Sequence, residues 1–230
     1  MKAPDVELIV VDDEEAAAKR VAELLAEAAR AGDELVLTGG TTPGRAYELA
    51  ADLERDWSGA GVWWSDERCV PPDDERSNFG LARRTLFDKL EVPPGRVHRI
   101  RGEDDPAVAA AAYERELTGT TLDLLLLGLG PDGHVASLFP NAPGLSETER
   151  LVIPAQPKLE PFVERVTLTP PALRGARLIV FLVTGEGKAA AVAGALAGPP
   201  DPEVPGSLIR AESGETLAIL DKKAASRLRD

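Results

Sequence analysis

A histidine and an aspartate two residues apart form the pair in this sequence best suited to proton transfer. His134 directly follows the glycine-rich segment Gly128-Leu129-Gly130-Pro131-Asp132-Gly133, which ends an apolar run. Histidine titrates near neutral pH, so its ring readily takes up and returns a proton. The pattern therefore favours His134 as a proton shuttle. The other histidine, His98, lies between two arginines, and we expect it at the surface.

The same glycine-rich segment also matches the G-x-G-x-x-G spacing of dinucleotide-binding loops. That fingerprint needs a full helix after its third glycine. Here Pro140 and Pro143 leave only the residues from His134 to Phe139 for such a helix. A nicotinamide- or flavin-dependent oxidoreductase is thus an alternative that the sequence disfavours.

Groups suited to an anion occur in four other places. Gly39-Gly40-Thr41-Thr42-Pro43 joins a predicted strand to a predicted helix, where hydroxyls and free backbone N–H groups suit a phosphate. Asp66-Glu67-Arg68 follows another strand, and Arg165 and Lys188 each lie near a strand end. Together the three cations can hold an anion. The alternatives are an ordinary capped turn and a solvated charged loop.

The overall charge makes local cations necessary for any anionic ligand. The 230 residues include 26 Lys and Arg against 39 Asp and Glu, a net charge of −13. Such a chain repels nucleic acid and anionic lipid, so neither is expected as a partner. With one cysteine, Cys69, and two histidines, neither an internal disulfide nor the usual zinc sites are expected.

Length and hydropathy predict one domain over residues 1–230, in the cytoplasm. The segment Met1–Asp5 lacks the features of a secretory signal. The longest apolar stretch, Leu122–Leu129, is far shorter than the about 20 residues of a spanning helix. No membrane association is therefore expected.

The elements that must position these groups alternate between strands and helices. Apolar runs predict strands at 6–11, 34–38, 61–65, 96–100, 122–127, 163–168, 177–184 and 216–220. Capping residues and periodicity predict helices at 12–30, from Pro43, from 77 or 78 to 88, at 106–117, at 188–197 and at the C-terminus, with a polar loop over 66–78. This order predicts an α/β fold with a mostly parallel sheet and helices on both faces. Because ligands bind at the carboxyl ends of such strands, segments 39–43, 65–68, 128–134 and 184–188 are expected at one edge.

Three segments in this order resemble one family. They are 37–43, 66–71 with Ser77-Asn78, and the long run 128–140, read Leu-Thr-Gly-Gly-Thr-Thr-Pro, Asp-Glu-Arg-Cys-Val-Pro and Gly-Leu-Gly-Pro-Asp-Gly-His-Val-Ala-Ser-Leu-Phe-Pro. The set is similar to the glucosamine-6-phosphate isomerase/6-phosphogluconolactonase family and covers nearly the whole chain. Two departures are small: Pro131 stands where an acidic residue is common, and Val135 where threonine is common.

The resemblance implies a Rossmann-like fold related to glucosamine-6-phosphate deaminase and ribose-5-phosphate isomerase. It also implies a carboxylic ester hydrolase that converts 6-phospho-D-glucono-1,5-lactone to 6-phosphogluconate in the oxidative pentose phosphate pathway, without metal or organic cofactor.

The resemblance assigns roles to particular residues. It makes His134 the catalytic base, and from the chemistry of the mechanism we expect Asp132 or Asp66 to orient the His134 ring. It assigns substrate binding, largely through phosphate, to Gly39, Gly40, Thr41, Thr42, Arg68, Arg165 and Lys188. The partner would be a sugar-phosphate lactone, and the chain a monomer or weak homo-oligomer.

Two rival functions remain open at this point. A glucosamine-6-phosphate deaminase shares the Gly-x-Asp-Gly-His turn, but it continues with Phe-Asn-Glu-Pro, where this chain has Ser137-Leu138-Phe139-Pro140. A sugar-phosphate sensor without turnover would keep the binding groups, but it would have no need for His134. Ammonia release and binding without turnover distinguish these rivals from a lactonase.

Overall fold

The computed structural model describes residues 6–158 and 160–228. In these residues ten strands form a seven-stranded and a three-stranded sheet. The strands are β1 (Glu7–Val11), β2 (Glu34–Leu37), β3 (Gly61–Trp64), β4 (Asp66–Arg68), β5 (Arg96–Val97), β6 (Leu124–Leu127), β7 (Val152–Ala155), β8 (Arg165–Leu168), β9 (Leu178–Val183) and β10 (Glu215–Asp221). The α-helices are α1 (Glu14–Ala31), α2 (Thr41–Leu53), α3 (Asn78–Thr85), α4 (Pro106–Leu117), α5 (Pro170–Arg174) and α6 (Ala189–Val192).

The larger sheet is parallel throughout and has the order β1-β10-β9-β6-β2-β3-β5. Its strands β3 and β6 are buried at every position, so both faces of the sheet are covered. The predicted parallel α/β sheet is confirmed. The chain runs from β2 towards one edge, then returns at β6 and builds the other side. The crevice between β2 and β6 is therefore the switch point where ligands bind in such sheets.

Several predicted boundaries agree with the structure. Asp13 caps α1, because its Oδ1 accepts a hydrogen bond from the Ala16 N–H at 2.9 Å. Gly32, at φ 80°, ends that helix. Ser77 caps α3 in the same way, through the N–H of Gly80.

The smaller sheet was not predicted. It has the order β4-β8-β7 and is antiparallel. The segment around 163–168 was expected in the parallel sheet, but its strand begins at Arg165 and pairs with Asp66–Arg68, which was predicted as loop. The loop prediction for residues 66–68 was wrong because β4 is short and its Asp66 and Glu67 are polar but buried.

Three helix predictions also need correction. Helix α2 begins at Thr41, so Pro43 is its third residue, and Gly40 precedes it at φ 120°, a conformation that favours glycine. The helix predicted over 188–197 is α6 followed by a π-helical turn at Ala193–Ala197. The C-terminal helix is a 3₁₀ turn at Ala224–Arg227.

Two predictions concern membranes and secretion. Among the described residues, no helix is long and apolar enough to cross a bilayer. The signal-peptide prediction depends on Met1–Asp5, which lie outside the described residues.

Candidate active site

A tight turn after β6 brings the Asp132 carboxylate against the His134 ring. The His134 Nδ1 and Asp132 Oδ1 atoms are 2.6 Å apart, and the His134 backbone N–H donates to the same oxygen at 3.2 Å. The turn is closed by a hydrogen bond from the Gly130 N–H to the His134 carbonyl at 2.8 Å. A Cβ on Gly130 would lie 2.0 Å from Nδ1, so only glycine leaves room for the imidazole.

This contact determines which ring nitrogen is available for chemistry. An ionised carboxylate can only accept hydrogen bonds. In a neutral His134 the hydrogen therefore sits on Nδ1, which donates this hydrogen bond to Asp132. The Nε2 lone pair is then free to take a proton.

The ring of Phe139 lies beside both His134 and Arg165. The centroids of the His134 and Phe139 rings are 4.8 Å apart, and the Arg165 guanidinium carbon lies 5.6 Å from the Phe139 centroid. A cation at that distance from an aromatic ring is attracted to its face. Phe139 therefore contacts the candidate base and one of the predicted anion-binding groups.

The pairing of β4 with β8 places two arginines opposite each other. Arg68 pairs with Arg165, and two residues along the strands Asp66 pairs with Thr167. Directly opposed residues point to one face, as do alternate residues in a strand. All four side chains therefore share one face of this strand pair.

The two arginines differ in burial and in partners. The Arg165 Nη2 donates to the Pro161 carbonyl at 3.1 Å, and burial lowers the pKa of this guanidinium. Arg68 Nη1 donates to the Arg76 carbonyl at 2.6 Å, while its Nε is buried and has no hydrogen-bond partner in the described part of the chain. An unpaired buried donor on a cation is suited to an anion.

Lys188 supplies a third cation from the turn after β9. Its Nζ donates to the Leu129 carbonyl at 2.8 Å. Burial lowers the pKa of this ammonium, and the charge of Asp132 opposes that shift.

Glu67 holds the segment that follows Arg68. Its buried carboxylate accepts hydrogen bonds from the backbone N–H groups of Arg68, Asn78 and Phe79 and from the Ser77 hydroxyl. Burial raises the pKa of Glu67, and these four donors oppose the shift. The carboxylate therefore fixes the start of α3 next to β4.

Asp66 was predicted as an alternative acid to orient the His134 ring, but its carboxylate has other partners. Its Oδ2 accepts a hydrogen bond from the Ser137 hydroxyl at 2.5 Å, and its Oδ1 accepts one from the Asn78 side-chain amide at 3.1 Å. The difference arises because β4 pairs with β8, so the Asp66 side chain lies against the segment after His134 rather than against its ring.

One cavity, of about 260 Å³, collects most of the predicted residues. Its lining is Thr38, Gly39, Gly40, Asp66, Arg68, Asn78, Gly128, Leu129, Gly130, His134, Ala136, Arg165 and Lys188. Segments that follow β2, β3, β6 and β9 thus meet at the switch point of the sheet, as predicted.

Three predicted residues lie at the border of this cavity or outside it. Thr41 instead lines two other clefts, one shared with Arg68 and the other with Thr42 and Lys188. The Thr42 hydroxyl donates to Glu14 at 2.5 Å and lies 3.0 Å from the Thr184 hydroxyl. Asp132 lies behind His134 and is not part of the lining. The Thr42 hydroxyl meets Glu14 because α1 packs against α2, and substrate binding by Thr42 stays a prediction.

Sequence reasoning assigned no role to several residues of the site. Ser137 and Phe139 belong to the segment 128–140, which was recognised only as a pattern. Asn78 belongs to the second segment of the resemblance, and Thr167 lies in a predicted strand. Their contacts with Asp66 and Ser137 could not be predicted, because those partners lie 12 and 30 residues away in the sequence. Among the described residues, no group of three or more His, Cys, Asp or Glu side chains is placed to hold a metal ion.

Comparison with known proteins shows the family of this chain. The family model described as glucosamine-6-phosphate isomerases/6-phosphogluconolactonase matches residues 12–218. The chain belongs to this family. A protein of Streptomyces coelicolor named 6-phosphogluconolactonase is 41% identical over 235 residues, which cover 94% of this chain and 90% of that protein. Such relatives support the predicted enzyme class.

Solved structures show the same fold. A 6-phosphogluconolactonase from Trypanosoma cruzi superposes with a TM-score of 0.87 at 28% identity, covering 98% of each chain. A monomeric glucosamine-6-phosphate deaminase superposes with a TM-score of 0.84 at 21% identity, covering 96% of this chain and 100% of that one. The second comparison concerns the fold alone.

Proposed function

We propose that this protein hydrolyses 6-phospho-D-glucono-1,5-lactone to 6-phosphogluconate in the oxidative pentose phosphate pathway. The observation that carries the proposal is the Asp132–His134 pair at a cavity that also contains Arg68, Arg165 and Lys188. A general base next to a cluster of cations suits a neutral electrophile that carries a phosphate. The 6-phosphogluconolactonase relatives support the same substrate.

His134 acts on water in this proposal. Nε2 takes a proton from a water molecule while the water oxygen bonds to C1 of the lactone. The tetrahedral intermediate collapses as the bond between C1 and the ring oxygen breaks, and Nε2 returns the proton to that oxygen. General base catalysis of this kind contributes about 10²–10⁴-fold.

The intermediate carries negative charge on the former carbonyl oxygen. Backbone N–H groups of the glycine-rich segments are candidate donors, and each such donor contributes roughly 2.7–4 kcal/mol in other enzymes. Ala136 adds another candidate: it lines the cavity at φ 48°, and its N–H has no hydrogen-bond partner in the described part of the chain.

The phosphate is bound by the cations. Arg68 and Arg165 project from paired positions of β4 and β8, and Lys188 lies across the cavity beside Leu129. They supply local positive charge in a chain whose net charge is −13. Gly39 and Gly40 let the backbone approach the ligand. In this proposal the reaction requires no organic cofactor or metal. The protein acts in the cytoplasm as a monomer or weak homo-oligomer. It has no nucleic-acid or membrane partner.

Lactonase turnover tests the proposal. The lactone is generated in situ near pH 6.5, where spontaneous opening is slow, and 6-phosphogluconate formation is followed with wild type, His134→Ala and no protein. We expect acceleration by wild type alone. Acceleration by both proteins would retain the substrate and reject the base. Acceleration by neither would reject the lactonase, and ammonia release from glucosamine 6-phosphate would then identify a deaminase.

A further inference from the structure

We infer that Ser137 and Thr167 are positioning residues that hold the His134 turn against the strand pair carrying Arg68 and Arg165. This inference rests on the proposed function. Ser137 is buried, lies outside the cavity lining and contacts two different strands of the smaller sheet. It acts on the reaction through other residues.

Ser137 makes one hydrogen bond to each strand. Its hydroxyl donates to Asp66 Oδ2 in β4 at 2.5 Å, and its backbone N–H donates to Thr167 Oγ1 in β8 at 3.1 Å. Asp66 and Thr167 are themselves a directly opposed pair. The turn is thus attached to the strand pair at the position of the opposed residues Asp66 and Thr167.

The next opposed pair whose side chains point to the same face is Arg68 and Arg165. Ser137 therefore fixes the distance between the candidate base and the two arginines. This matters because β6, which leads into His134, belongs to the other sheet. Ser137 adds a direct hydrogen-bonded link between the segment that carries the base and the strand pair that carries the two arginines.

The conformation of the turn gives a reason for a strong attachment. Ala136, between His134 and Ser137 in the cavity wall, has φ 48°, a region that non-glycine residues rarely occupy. Surrounding contacts must hold such a backbone in place. The two hydrogen bonds of Ser137 come directly after it.

The variants Ser137→Ala and Thr167→Val each remove one attachment, and Thr167→Ser restores the hydroxyl. A misplaced catalytic group can cost up to about 100-fold. We expect kcat to fall about tenfold or more in the first two variants, with KM changed less than about threefold, because the phosphate-binding groups remain. Thr167→Ser should recover most of the loss. If Ser137→Ala does not fold, the inference is tested by comparing kcat between Thr167→Val and Thr167→Ser.

The matched control is Thr216→Val. Thr216 is also buried, and its Oγ1 accepts a backbone N–H, that of Ala211, at 3.0 Å. It lies at the amino end of β10, away from the carboxyl ends that form the cavity. The control should lose stability but keep kcat. Loss of kcat in the control, or unchanged kcat in both Ser137→Ala and Thr167→Val, would overturn the inference.

A second readout does not depend on turnover. The chain has two histidines, so their ring proton signals can be assigned by NMR with His134→Ala. Ser137→Ala should shift the His134 signal and leave that of His98, which stacks on Trp63, unchanged. An unmoved His134 signal would overturn the inference. If wild type does not hydrolyse the lactone, the proposed function fails, and these signals still decide whether Ser137 positions His134.

Discussion

One oxygen of Asp132, Oδ1, accepts hydrogen bonds from both the ring Nδ1 and the backbone N–H of His134. A single carboxylate oxygen therefore fixes the tautomer and the main chain of the candidate base together. Asp66, the other acid predicted for this task, is engaged by Ser137 and Asn78 instead.

Asp132→Asn should impair proton transfer while leaving the shape of the site intact. The amide can present its NH₂ group to Nδ1 and so favour the tautomer in which Nε2 carries the proton and is no longer a base. We expect kcat to fall by about 100-fold or more, within the range of general base catalysis, with little change in KM. Steady-state lactone hydrolysis measures both. A kcat close to that of wild type would show that Asp132 does not control the ring.

Gly130→Ala should displace the imidazole directly. The added Cβ would lie 2.0 Å from His134 Nδ1 and 2.6 Å from Asp132 Oδ1, so both side chains would have to shift. We expect a loss of kcat comparable to that of His134→Ala, with binding of 6-phosphogluconate retained. The control is Gly187→Ala, where a Cβ would meet no described atom within 4 Å. Equal losses in the two variants would contradict this account.

The parallel sheet could be predicted because its signals are local. Four consecutive leucines, Leu124–Leu127, indicate a strand buried on both faces, and Asp13 and Gly32 mark the ends of α1 through their own chemistry. Site segments that follow such strands are then placed together by the rule for parallel sheets.

The smaller sheet could not be predicted, because its pairing is a long-range property of short polar segments. Nothing in the letters of Asp66–Arg68 indicates that they pair with a strand about 100 residues later. For the same reason the sequence gives Asp66 a catalytic role and Ser137 none. The hydrogen bond from the Thr42 hydroxyl to Glu14 could not be predicted either, since it depends on how α1 packs against α2.

The paired arginines should control substrate binding more than turnover. Hydrogen bonds to charged groups contribute about 1.5–3 kcal/mol, so Arg68→Ala and Arg165→Ala should each raise KM by roughly 10- to 150-fold. The Kd of 6-phosphogluconate, measured by calorimetry, should rise in parallel. The control is Arg177→Ala, because Arg177 is exposed and pairs with Asp123 at the opposite end of the sheet. Unchanged kinetics in Arg68→Ala would assign that residue to the fold alone.

Tyr47 should stabilise the strand end that leads into the cavity. Its hydroxyl donates to the Thr38 carbonyl at 2.6 Å and accepts from the Thr38 N–H at 2.9 Å, with the whole tyrosine buried. Tyr47→Phe leaves both backbone groups without this partner, which should lower the free energy of unfolding by about 1–3 kcal/mol. Urea denaturation measures the loss. An unchanged unfolding midpoint would show that another group replaces the hydroxyl.

Lys188 should make phosphate binding sensitive to alkaline pH. Burial lowers the pKa of its ammonium, so the positive charge is lost at a lower pH than the about 10.4 of an ordinary lysine. The ligand binds to the charged form, which is present below that pKa and disappears as pH rises through it.

The phosphate of the ligand does not titrate in this alkaline range, because phosphate monoesters have their second pKa near 6. Calorimetry should therefore show the Kd of 6-phosphogluconate in wild type rising at a lower pH than the titration of an ordinary lysine would produce. Lys188→Arg keeps its charge throughout and should remove that rise. A Kd that rises equally in both proteins would assign the alkaline loss to another group.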